Sequence, residues 1–215
     1  MSRLISGDMA KSHGLLPIRR SIVATLLQIP LGVGLISSGC VIPPKHFLVH
    51  EASPGILIGT QPTKDADLDI LHARGVRTVL SLQCLPWNVR ASERLARAQG
   101  MNFRHVYIPA WPLEPSERRV KQAVLILKDK SLQPIFVHCY LGHDRAALMV
   151  GLYRIYYENW TPDDAWAEAL RNGFKTRWAL RGLRTYFWRH CQKPDWARDS
   201  PITARKRRAA QRGHI

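Results

Sequence analysis

Acidic side chains are scarce in this chain of 215 residues, where 16 Asp and Glu stand against 32 Lys and Arg for a formal net charge of +16. The deficit is sharpest late in the chain: no acid occurs between Glu168 and Asp195, while Arg171, Lys175, Arg177, Arg181, Arg184, Arg189 and Lys193 do. The tail adds Arg198, Arg205, Lys206, Arg207, Arg208 and Arg212 against Asp199 alone. Such a balance favours polyanionic partners, namely phosphorylated substrates, anionic lipid head groups or nucleic acid. Cysteine is sparse too. Cys40, Cys84, Cys139 and Cys191 form no Cys-x2-Cys pair and no zinc spacing, so no metal and no other cofactor is expected. A disulfide framework is not expected for a chain of this size with a core of its own, which leaves room for one incidental bridge. Internal repeats are absent, and the length supports one core with at most a short appendage.

One long apolar run is present, Ser21 to Ser38, following Arg19-Arg20 and ending in Ser37-Ser38-Gly39-Cys40. A charged region, an apolar region and a small-residue site in that order read as an export signal. Gly39-Cys40 resembles the site where bacterial lipoproteins are cut and acylated, which makes Cys40 a candidate lipidation site. Retention as a membrane anchor is the alternative. Either reading places the remaining chain outside the cytoplasmic membrane, periplasmic or membrane-anchored.

From Phe47 to Trp196 short β-rich runs alternate with helical stretches, the pattern of an α/β layer fold. Strands are expected at 56–58, 78–82, 103–108 and 134–138. Helices are expected at 65–73 and 91–98, stopped by Gly75 and Gly100, then from Ser116 through Leu127, and at 146–157. Thr161-Pro162-Asp163-Asp164 starts another over 165–171, and 178–188 reads as the last. The aromatic cluster Trp178, Tyr186, Phe187 and Trp188 reads as helix packing.

The stretch Pro134-Ile-Phe-Val-His-Cys-Tyr-Leu-Gly-His-Asp-Arg-Ala-Ala147 carries the chemistry. A cysteine six positions before an arginine is not diagnostic, because Cys84-Leu-Pro-Trp-Asn-Val-Arg90 shows the same spacing. A loop that wraps its backbone around a dianion needs inward N–H groups, a glycine for close approach, and a helix starting where it ends. The Cys139 loop has Gly142 and no proline. The Cys84 segment has no glycine, loses a donor at Pro86 and carries Trp87, so Cys84 reads as a small apolar residue closing a buried strand. In the Cys139 loop the amides, the helix N-terminus and Arg145 favour the nucleophilic thiolate. The planar fork of Arg145 matches two equatorial phosphoryl oxygens. In-line attack of Cys139 on a phosphate monoester follows.

His138-Cys139-Tyr140-Leu141-Gly142-His143-Asp144-Arg145 resembles the His-Cys-x5-Arg signature of the cysteine-dependent protein tyrosine and dual-specificity phosphatases, most closely the compact bacterial members with Gly-x-Asp-Arg. Gly59-Thr-Gln-Pro-Thr63, Gly75-Val-Arg-Thr-Val79 and Asn172-Gly-Phe174 extend the resemblance over residues 56–187. It implies a three-layer fold with a central, mostly parallel sheet of 4–5 strands flanked by helices. Together with the apolar run and the charge pattern it gives three expected regions: an export signal or anchor (1–45), a phosphatase domain (46–196) and a basic disordered tail (197–215). A general acid is expected upstream, where Trp111-Pro112 resembles the family's Trp-Pro-Asp loop. Leu113 replaces the aspartate, leaving Glu114 first, with Asp144 and Glu117 the other candidates. His138, Tyr140, Leu141, Gly142, His143 and Arg145 are the expected phosphate-loop residues, His138 as a hydrogen-bonding support. His105 and His190 are expected to be surface or satisfied core residues. Ala146 stands where the family has Ser or Thr, which predicts slow breakdown of the phosphoenzyme. A protein phosphatase is the first reading and a phosphoinositide or phospholipid phosphatase the second. Expected partners are therefore a phosphorylated protein or phospholipid and an anionic membrane surface, not nucleic acid. A phosphate-binding pseudophosphatase and a rhodanese-like sulfurtransferase, whose loop is one residue shorter, are the remaining alternatives.

Overall fold

Alternation along three short strands, one of them continued a residue past its end to Leu82, sorts apolar side chains to two faces of one sheet. Ile56, Ile58, Leu80, Leu82, Ile135 and Val137 fall in one buried cluster, while Leu57, Val79 and Phe136 fall in the other. Both faces are therefore covered by helices, and the layers are helix, sheet, helix. The computed structural model describes residues 46–109, 112–176 and 178–198, all within a compact unit running from Cys40 to Ile215. The expected export segment, Cys40, Trp111 and the tail from Asp199 onward lie outside the described residues. No helix among the described residues is long and apolar enough to cross a membrane.

The sheet has five strands in the order β1-β2-β5-β3-β4, where β1 is Val49–Ser53, β2 Ile56–Gly59, β3 Thr78–Ser81, β4 Asn102–His105 and β5 Ile135–His138. All pairings are parallel except β1 with β2. The strand β1 is absent from the sequence expectation, because its residues His50 and Glu51 are exposed at the sheet edge and show no apolar alternation. Its signal is the turn that follows. Pro54-Gly55 places a glycine at φ +78, the pairing of proline then left-handed glycine that a tight turn uses.

Helix α1 (Asp65–Ala73) and helix α2 (Pro86–Ala98) pack on the second face with Leu68, Leu71 and Ala96 fully buried. Helix α2 begins five residues before the expected start, since Pro86 serves as a first-turn residue whose missing N–H costs nothing there. Both helices close in the same way: Val76 N–H reaches Leu71 O at 3.1 Å and Met101 N–H reaches Ala96 O at 3.0 Å, around Gly75 and Gly100. Strand β4 ends three residues early, because its partner β3 ends at Ser81.

On the first face lie α3 (Glu117–Lys128), α4 (Arg145–Tyr157), α5 (Pro162–Arg171) and α6 (Arg181–Arg189). Every residue of α4 from Arg145 to Tyr156 is buried, so it is the central helix of the domain. Truncating one of its core neighbours such as Leu127 to Ala costs about 2–5 kcal/mol. Thr161 caps α5 by accepting from Asp164 N–H at 3.1 Å. The last helix expected over 178–188 is divided into a 3-10 turn, Trp178–Leu180, and α6. Tyr186 and Phe187 are buried, but Trp178 is 70% exposed, which corrects its assignment to the packed cluster.

Candidate active site

Strands β2, β5 and β3 are parallel and end together at Gly59, His138 and Ser81, the edge of an open α/β sheet where ligand sites form. The loop of residues 139–144 leaves the middle strand at this edge and runs into the N-terminus of α4. Cys139 is 1% exposed at its base and Arg145, the first residue of α4, is 3% exposed. Gly142 has φ +77, and a Cβ there would meet Gly59 O at 2.4 Å. Only glycine lets the loop lie against the end of β2.

Arg145 is held from the β3 side. Its Nη1 donates to Leu82 O at 3.2 Å and approaches Cys84 Sγ at 3.4 Å. Cys84 is thus no apolar residue closing a strand: β3 ends at Ser81, and the thiol is a partly exposed neighbour of the loop arginine. Its place follows from the pairing of β3 with β5, which puts residues far apart in the chain side by side.

Three donors converge on the first two carbonyls of the loop. Gln83 Nε2 donates to Cys139 O at 3.0 Å and to Gln61 Oε1. The Gln61 backbone N–H donates to Tyr140 O at 3.1 Å. His138 Nδ1 lies 2.8 Å from Cys139 O. A carbonyl oxygen only accepts, so this ring nitrogen carries the proton. Burial holds His138 down from 6.5 to about 4, which keeps the imidazole neutral. Tyr140 is buried and Leu141 and His143 are half-buried. His143 packs on Gly173, where a Cβ would meet His143 Nδ1 at 2.7 Å. His105 Nε2 bonds to Gln83 O at 2.9 Å, and the His190 ring stacks on Tyr186.

The three candidate acids are in different situations. Asp144 ends the loop, and its Oδ1 accepts from Lys175 N–H at 2.8 Å. Burial pushes its carboxyl above the usual range, against the opposing pull of that hydrogen bond and of Arg145. Glu114 Oε1 is paired with Arg189 Nη1 at 2.7 Å. The chain beside it rests on α6, since a Cβ on Gly182 would lie 2.2 Å from Leu113 O. Glu117 stands in the first turn of α3 and accepts from Trp196 Nε1 at 3.1 Å. The structure brings Cys139, Arg145 and Asp144 into one loop, and ties Glu114 and Glu117 to groups outside it.

A family model described as a DSP-PTPase phosphatase fused to NAD+ kinase matches residues 47–182. The chain belongs to this phosphatase family. It is 26% identical over 121 residues to human phosphatidylglycerophosphatase and protein-tyrosine phosphatase 1, a match covering 54% of this chain and 60% of the relative. The chain thus spans less than two thirds of that relative's length. The core catalytic domain of the PP-IP phosphatase Siw14 from S. cerevisiae is similar in fold. Its TM-score is 0.58 at 21% identity, over 80% of this chain and 96% of that one. TpbA from P. aeruginosa is similar as well, with a TM-score of 0.55 at 19% identity over 65% of this chain and 83% of that one.

Within this DSP-type phosphatase fold, the loop residues were legible because strand, glycine and arginine fall in one continuous stretch. Gln61, Gln83 and Cys84 were not assigned to the site from sequence. Gln61 lies in the segment Gly59-Thr-Gln-Pro-Thr63, a buried polar residue two positions past the end of β2, so a local signal for it was available. Gln83 and Cys84 carry no such local mark.

Proposed function

We propose that this chain hydrolyses phosphate monoesters through a cysteinyl-phosphate intermediate. The observation that carries this is the Cys139 loop, which lies at the sheet's ligand edge with Gly142 against Gly59 and Arg145 anchored by Leu82 O. Cys139 Sγ attacks phosphorus, the bond to the ester oxygen breaks, and Arg145 with the loop amides balances the charge on the equatorial oxygens. Asp144 supplies the proton to the leaving oxygen, since burial favours its protonated form and Glu114 is committed to Arg189. Water then attacks the thiophosphoryl group and releases phosphate.

Phosphotyrosine, phosphoserine or phosphothreonine in proteins is the first substrate class. A phosphoinositide or phospholipid is the second, favoured by exposed Trp178 and Leu113 and by the acid-free stretch from residue 169 to 194. The human relative is named for both a phospholipid and a protein activity, and a PTPMT1 structure at 22% identity carries PI(5)P. Export through the segment ending at Gly39-Cys40 belongs to the same proposal, with an anionic membrane surface as its setting. Retention of residues 1–39 in the mature protein, measured by mass, would rule out cleavage.

The test pairs wild-type hydrolysis of an aryl phosphate with capture by Cys139→Ser on phosphopeptide and phosphoinositide panels. Turnover of the aryl phosphate that is abolished in Cys139→Ser is expected. Retained phosphate binding with no hydrolysis of any monoester leaves a pseudophosphatase instead.

A further inference from the structure

The first two carbonyls of the phosphate loop are tied to the side chain of Gln83, which no motif marks, and to the backbone of Gln61. Gln83 is fully buried, and the amide orientation along this chain of bonds is fixed by its ends. Cys139 O is a backbone carbonyl and accepts only, so Gln83 must present its NH2 group there. Asn88 O is likewise a carbonyl, so Gln61 must present its Nε2, at 3.4 Å. Gln61 Oε1 is then left to accept the second N–H of Gln83. Both donors of Gln83 are used, whereas its own Oε1 is buried without a hydrogen-bond partner among the described residues.

In a trans peptide the carbonyl of one residue and the N–H of the next point in opposite directions. Holding Cys139 O by Gln83 and His138, and Tyr140 O by the Gln61 N–H, therefore turns the N–H groups of Tyr140 and Leu141 to the other side. Those are the first two amides available to an anion seated over Cys139.

We propose that Gln83, braced by Gln61, is a positioning residue that preorganises the loop amides for the phosphoryl group. It sits in the path of no reacting atom and acts through the Cys139 and Tyr140 peptide planes. The proposal rests on the phosphate-loop reading above. It assigns oxyanion affinity to a buried glutamine pair from the ends of β2 and β3.

The experiment measures binding of inorganic phosphate by calorimetry, at several pH values, to wild type, Gln83→Leu and Gln83→Glu, each checked for a cooperative thermal transition. Gln83→Leu is expected to weaken phosphate by about tenfold, the loss of one well-made hydrogen bond's influence. Gln83→Glu keeps the shape but turns an acceptor toward Cys139 O at neutral pH. Its deficit relative to wild type at the same pH is expected to shrink as the pH falls and the carboxyl regains a donor proton. A packing role predicts no such pH-dependent recovery. Should Gln83→Leu not fold, the glutamate series decides alone. Equal phosphate affinity in wild type and Gln83→Glu across the pH range overturns the proposal. Failure of wild type itself to bind phosphate overturns the phosphate-loop reading instead.

Discussion

Arg189 Nη1 donates to Glu114 Oε1 at 2.7 Å, and that bond separates two carboxylates which the sequence leaves as rivals. The pair lies at the surface with the Arg189 side chain 64% exposed, so it is worth no more than about 1 kcal/mol. It nevertheless gives Glu114 a partner on α6, while Asp144 remains beside Arg145 with a carboxyl that burial keeps inclined to hold its proton.

Asp144→Asn is expected to lower kcat/KM for alkyl phosphates by about 100-fold or more and to remove the basic limb of the pH profile. Glu114→Gln is expected to stay within about threefold of wild type, as loss of an exposed pair implies. The reverse pattern, with the limb lost in Glu114→Gln and kept in Asp144→Asn, assigns the acid to Glu114.

The same Asp144→Asn variant is expected to be more stable than wild type at neutral pH. Burial raises the carboxyl's folded-state value above its ordinary 3.8, so its contribution to stability is complete below that ordinary value and is lost as pH rises through the raised one. Asparagine keeps an acceptor for Lys175 N–H and carries no charge. Melting temperatures taken from pH 7 downward should show the gap closing, and a gap that widens toward acid contradicts the sign.

His138 works in the opposite sense. Its value falls from 6.5 to about 4 through burial, so the unfolded chain takes the proton first and stability is lost as pH falls through that window, by about 3 kcal/mol at most. His138→Asn retains a donor for Cys139 O and cannot titrate there. Urea midpoints between pH 7 and pH 4.5 should therefore decline more steeply in wild type than in the variant, and parallel declines would count against the assignment.

Ala146 is fully buried at the start of α4, one residue past Arg145, and offers no hydroxyl to the sulfur. A burst of alcohol release followed by slow turnover is expected in stopped-flow assays. Ala146→Ser should shrink the burst and raise the steady-state rate. A wild-type trace with no burst, limited by the first step, removes this explanation.

Gly142→Ala forces a side chain into φ +77 and a 2.4 Å contact with Gly59 O. A loss of about 3 kcal/mol or more is expected, together with loss of measurable phosphate binding. Retained binding at an unchanged melting temperature would show that the loop does not need this approach to β2.

Much of the molecule was legible without a structure because its determinants are local. The helix stops at Gly75 and Gly100, the Thr161 cap and the strand feeding Cys139 each depend on a few consecutive residues whose backbone preferences agree. The misses have a common form. Strand β1 is an edge strand with exposed polar residues, so its identity comes from pairing with β2 rather than from alternation. The stretch over 178–188 carries a continuous helical pattern, and nothing local marks the break at Leu180.

The sequence alone determined the loop proposed to hold phosphate, since strand, cysteine, left-handed glycine, arginine and helix start are contiguous and set by covalent order. Only the tertiary structure decided what surrounds that loop. Pairing of β3 with β5 carries Gln83 and Cys84 to Cys139 and Arg145 across more than fifty residues. Packing of the Pro112 region on α6 hands Glu114 to Arg189. Folding of the segment after α5 over the loop gives Asp144 the Lys175 N–H. Contacts between segments distant in the chain depend on strand order and helix packing, and no local pattern of residues encodes them.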